Sequence, residues 1–104
     1  MDYPRTQLPT RQQFSAAVNT RFEISPQGGE PVEFTLIECN SVVSNERQEC
    51  YSLLFRGPAD QPPVQATYSL ENEQLGKLEL LLVPIKLDQD GIYLEAVMNH
   101  VLDR

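Results

Sequence analysis

Between Arg21 and Asn99, apolar side chains recur at every second position in six separate stretches, and this alternation constrains the fold more than any other feature of the chain. The stretches carry Phe22 and Ile24; Val32, Phe34 and Leu36; Tyr51, Leu53 and Phe55; Val64, Ala66, Tyr68 and Leu70; Leu78, Leu80 and Leu82; and Ile92, Leu94, Ala96 and Met98. A period of two puts each set on one face of an extended strand and leaves the opposite face polar. Turn signals separate them: Pro26-Gln27-Gly28-Gly29, then Gly57-Pro58 with a loop over 59–63, then Gln74 to Gly76, then Asp88-Gln89-Asp90-Gly91. Strands joined by short polar connections, with no helices between them, predict an antiparallel meander. The expected fold is therefore mainly β: a small antiparallel barrel or sandwich of about six strands, with one short N-terminal helix.

That helix is read near residues 11–18. Thr10-Arg11-Gln12-Gln13 fits a capping box, and Phe14, Ala17 and Val18 follow at helical spacing. Two turns of helix do not stand alone in water, so Phe14 and Val18 must dock on the sheet. Residues 1–9, with Pro4 and Pro9, read as an extended lead-in, residues 10–100 as a single β domain and residues 101–104 as a tail. A chain of 104 residues suits one domain.

The alternation also suggests a register. Pairing 32–39 with 49–56 as a hairpin matches Phe34 with Phe55, Leu36 with Leu53 and Ile37 with Ser52, and sets Cys39 opposite Cys50. Opposed Cβ atoms lie ~4.5–5.5 Å apart, a spacing that local twist can bring within reach of a disulfide. Against the disulfide, the opening MDYPRTQLPT shows no export signal, so the default expectation is two reduced thiols in a cytoplasmic protein.

Charge and composition narrow the chemistry. Fifteen acidic against eight basic residues give a net charge of −7, which opposes binding to phosphate backbones and anionic membranes. With His100 as the single histidine, four zinc ligands do not assemble, and no metal or other cofactor is expected. Asp88-Gln89-Asp90-Gly91 resembles the start of a calcium loop, but the twelfth position is Asn99 rather than Glu, and the reading is a hairpin turn. No glycine-rich phosphate loop precedes a helix. Glu79 and Glu95 fall on outward positions of adjacent strands, where solvation leaves them ordinary carboxylates, and His100 reads as a surface residue. An enzyme is not expected.

The run Tyr51-Ser52-Leu53-Leu54-Phe55-Arg56-Gly57-Pro58 is followed by PVQATYSL from Pro63, Leu75-Gly76, LLLVPI from Leu80 and YLEAVMN from Tyr93. In this order the segments resemble an uncharacterised bacterial family of roughly hundred-residue domains of unknown function. Ala66 stands where that pattern has glycine, and Met98 where it has an aromatic residue. The resemblance implies the same β fold, assigns no catalytic residue, and implies an accessory place beside phage-tail-like fibre proteins.

The outward face is less polar than a lone barrel requires. Ile37, Leu54, Leu81 and Val97 all fall opposite the core, with Arg56 on the face of Leu54. They predict an interaction surface with Arg56 as a bidentate anchor, unless the helix or a second sheet covers them. The functional expectation is a non-enzymatic protein-interaction or assembly module that binds a protein partner or a second copy. The alternative is a small-ligand-binding barrel lined by Phe34, Tyr68 and Met98.

Overall fold

The computed structural model describes residues 9–26, 29–45 and 48–101; of Val43, Ser44, His100 and Val101 it describes the backbone alone. Residues 1–8 of the lead-in read over 1–9, the Gln27-Gly28 part of the first turn, residues 102–104 of the tail and the His100 side chain lie outside the described part. The chain forms α1 (Arg11–Ala16), β1 (Arg21–Pro26), β2 (Val32–Ser44), β3 (Gln48–Gly57), β4 (Ala66–Asn72), β5 (Gly76–Asp88) and β6 (Gly91–Val101). All strand pairs are antiparallel, and the sheet closes as a barrel in the order β1-β2-β3-β6-β5-β4.

The mainly β fold with one short helix is thus present, and barrel rather than sandwich is the form. The order departs from a simple meander at one step. β3 and β4 stand across the ring from each other, so the segment 58–65 crosses one end of the barrel. Val64 belongs to this crossing rather than to a strand, and its carbonyl accepts the Tyr68 hydroxyl.

α1 closes the other end. Thr10 Oγ1 accepts from the Gln13 amide at 3.2 Å, and Gln13 Oε1 accepts from the Thr10 amide at 2.8 Å, so the expected capping box is formed. The helix ends at Ala16, earlier than its apolar stripe, because Asn19 takes a left-handed backbone (φ 74°) that turns the chain into β1. Phe14 and Ala17 are fully buried, and the Phe14 ring lies 6.2 Å from that of Tyr51. Arg11 Nε reaches Glu49 Oε2 on β3 at 2.8 Å.

Asn72 ties this end together. It is 4% exposed, and its amide nitrogen donates to Thr20 Oγ1 (3.0 Å) and to the Arg21 carbonyl (2.9 Å). Its Oδ1 accepts from the amides of Gln74 (2.8 Å) and Leu75 (3.0 Å). One buried side chain therefore satisfies the β4–β5 turn and the start of β1 together.

The β2–β3 register differs from the sequence reading. Leu36 pairs with Phe55, Cys39 with Leu53 and Val43 with Cys50, with bulges at Ile37 and Val42. Two causes are visible. Phe34 comes level with Gly57, where a Cβ would stand 2.4 Å from its ring, so the aromatic packs on bare backbone instead of facing Phe55. Further along, Asn45 and Gln48 are hydrogen-bonded to each other (Asn45 N to Gln48 O 2.9 Å, Gln48 N to Asn45 Oδ1 3.0 Å). Asn40 to Ser44, which lie beyond the apolar alternation of β2, are strand as well. Asn40, Ser41 and Val42 are all exposed, so this part of the hairpin needs no apolar alternation. β6 likewise runs to Val101, into the segment read as tail.

The core holds Phe14, Ala17 and most of the inward sets of all six strands, with Val32 and Ala66 partly buried against it and Val64 exposed. At its centre Phe22 meets Phe55 edge to face, with centroids 5.1 Å apart.

Candidate functional site

Pairing assembles three rows of side chains on the outer face of β3, β6 and β5. Nearest the crossed end, Arg56 lies opposite Tyr93, which lies opposite Lys86. Next come Leu54, Glu95 and Val83. Then Ser52 lies opposite Val97, with Leu81 two residues before Val83 on the same face of β5. Leu54 and Val83 are half-buried, whereas Leu81 is 54% and Val97 66% exposed. Neither α1 nor a second sheet covers them among the described residues.

Of the five sequence candidates, Leu54, Arg56, Leu81 and Val97 share this surface. Ile37 stands at its edge as the half-buried extra residue of the first β2 bulge. Arg56 is exposed and makes no ion pair among the described residues. Its stem lies over Gly91, where a Cβ would come 3.0 Å from Arg56 Cγ and 2.3 Å from the Gly57 carbonyl oxygen. The Asp88–Gly91 turn therefore supports the arginine from below.

Sequence reasoning missed Val83, Tyr93 and Lys86. Lys86 Nζ sits 5.0 Å above the Tyr93 ring and 3.3 Å from Asp88 Oδ2. The Asp90 amide donates to Asp88 Oδ1 at 2.8 Å, and this bond, with Lys86 beside it, lowers the Asp88 pKa. The bulge at Ile85 turns Lys86 onto the outer face, and a period-two reading has no signal for such a bulge.

Cys39 and Cys50 are free and half-buried. The observed register sets them three rungs apart, roughly 10 Å along the strands, beyond disulfide reach. The paired geometry expected from sequence is thus replaced by two separate thiols. Burial pushes the Cys39 thiol up, against the opposing pull of Arg11.

Inside the barrel, Phe34, Tyr68 and Met98 are packed into the core. The space below the crossing segment is a cavity of about 110 Å³ between Phe34, Pro62, Val64, Tyr68 and Ile92. No group of three or more His, Cys, Asp or Glu side chains placed to hold a metal occurs among the described residues. No described helix is long and apolar enough to cross a membrane.

Residues 9–98 match the model of a family described as a domain of unknown function, DUF6916. The chain belongs to this family. No curated protein and no solved structure matches it. The match spans α1, β1 to β5 and β6 as far as Met98, so the outer surface and the core that supports it lie within the family domain. Gly57 and Gly91 have clear structural work there, since each admits a close approach that a side chain would block.

Proposed function

We propose that the domain is a non-enzymatic interaction module that docks a protein partner on the outer face of β3, β6 and β5. The observation that carries this reading is the grouping of Leu54, Val97, Leu81 and Val83 around Glu95 on one surface, with an exposed Arg56 beside it that makes no ion pair among the described residues. Exposed apolar residues count for little singly, but a contiguous set rimmed by polar groups marks an interface. Arg56 suits a partner carboxylate, which its guanidinium can take bidentately. The resemblance to domains that accompany fibre proteins supports an accessory role in such an assembly. The alternative of a ligand held inside the barrel draws less support, since the cavity of about 110 Å³ beside Phe34 and Tyr68 is smaller than the ~300 Å³ from which small-molecule pockets begin.

Cross-linked capture from the native host tests the reading. The wild-type chain should retain proteins that Val97→Asp and Arg56→Ala both lose and that Ser41→Asp, on the far arm of the hairpin, keeps. An identical retained set for all four chains overturns it.

A further inference from the structure

The β5–β6 ladder stops at the Val83–Glu95 rung. Beyond it, residues 76–82 of β5 pair with β4, and residues 96–101 of β6 pair with β3. Each strand therefore turns one edge of backbone N–H and C=O groups towards a shared gap. The gap is a groove of about 340 Å³ lined by Glu79, Leu80, Leu81, Val83, Val97, Met98 and Asn99. Its floor is apolar, since Leu80 and Met98 belong to the core. Protection against pairing is light: 96–101 contains no proline or lysine, Lys77 stands at the far end of the β5 edge beyond Glu79, and Pro84 comes only after the gap has closed.

We infer that this open seam receives an extended strand from a partner protein, with basic side chains flanking an apolar one. The inference rests on the interaction-module reading and names the chemistry of the partner. Two facing strand edges are satisfied by another extended backbone, as in β-augmentation, and not by a helix or a small ligand. Continuing the Val83–Glu95 rung puts Leu81 across from Val97 and Glu79 across from Asn99. The outward side chains of a strand entering beyond the closed rung then meet the Leu81–Val97 level and Glu79 at alternate positions, while Glu95 borders the closed end of the gap, where a long basic side chain at the strand's tip reaches it. The order basic, apolar, basic complements that row. Glu79 and Glu95 make no ion pair among the described residues, and the chain carries −7 overall, so the field also favours a cation-bearing strand over a second copy.

The test titrates the full chain with a capped Lys-Ala-Val-Ala-Lys peptide, its Glu-Ala-Val-Ala-Glu counterpart and buffer, while backbone amide exchange is followed. The lysine peptide should bind saturably and slow exchange within 78–82 and 96–101, and the glutamate peptide should not. Glu79→Gln combined with Glu95→Gln should weaken binding at least about tenfold, equivalent to ~1.4 kcal/mol. Val97→Lys, an exposed change that protects the edge, should abolish binding with the melting temperature kept. Absence of binding, protection elsewhere, or equal binding of both peptides overturns the inference. So do amides of both edges that are already fully protected in the free chain, and a concentration-dependent dimer that the peptide displaces. If peptide binding fails while Val97→Asp still loses captured partners, the seam inference falls and the interaction module stands. If the peptide binds and the captured set is unchanged by Val97→Asp, the module reading falls alone.

Discussion

One strand, β6, presents two edges that behave differently. Towards β3 it pairs without interruption from Gly57↔Ile92 to Gln48↔Val101, and towards β5 only from Asp88↔Gly91 to Val83↔Glu95. Side-chain alternation along β6 is the same throughout, with Ile92, Leu94, Ala96 and Met98 all buried. The difference lies in the neighbours. β3 runs alongside for its whole length, whereas β5 is shared: its first half follows β4 and its second half follows β6. A regular hydrophobic pattern therefore secures one face of a strand and says nothing about whether both edges are occupied.

The largest effect that tests this contrast is a core truncation under the fully paired edge. Phe55→Ala removes a ring that is fully buried against Phe22 and should cost ~3–5 kcal/mol in urea unfolding. Val97→Ser, on the open side, should cost under about 0.5 kcal/mol. Comparable losses for the two variants would mean that the seam is covered. Asn72→Ala comes next. It strips partners from the Gln74 and Leu75 amides and from the Arg21 carbonyl, and should cost ~1–3 kcal/mol.

Alkaline titration sharpens the contrast at the helix-closed end. Burial pushes the Tyr51 hydroxyl up to about 12, from an ordinary value of 10.0. The folded chain thus holds this proton more tightly than the unfolded chain. The associated stability is complete below about pH 10 and is lost as pH rises towards about 12. Tyr51→Phe should flatten the alkaline limb of a stability-versus-pH curve, and an unchanged limb would count against a buried hydroxyl. The smallest effect is local. Along 96–101 amide exchange should alternate, slow where the N–H points to β3 and fast where it points into the gap, while 92–95 stays slow throughout. Uniform protection across 96–101 would remove the seam.

Much of the architecture was legible because its causes are local. The Thr10–Gln13 cap, the Asp88–Gly91 turn and the inward sets such as Tyr51, Leu53 and Phe55 follow from short-range chemistry and from the two faces of a pleated strand. The β2–β3 register was not legible. Asn40 to Ser44 lie in a strand without an apolar rhythm, and the bulges at Ile37 and Val42 shift the pairing without marking the sequence. Cys39 and Cys50 were misplaced for that reason alone. Leu54, Leu81, Val97 and Arg56 were found as a set because outward apolar positions stand out against polar alternation. Lys86 escaped because the Ile85 bulge changes which face it occupies, whereas Val83 shares the outer face of Leu81 by plain alternation and was passed over.

By itself the sequence determined that this chain builds strands, which face of each is buried, and where a capped helix precedes them. These depend on side-chain period and on hydrogen bonds spanning a few residues. Ring order, the opposition of β3 and β4, the seating of Phe34 on Gly57 and the parting of β5 from β6 were decided by tertiary structure. Each depends on which distant segments meet, and on bulges and bare-backbone approaches that trade one pairing for a better-packed core.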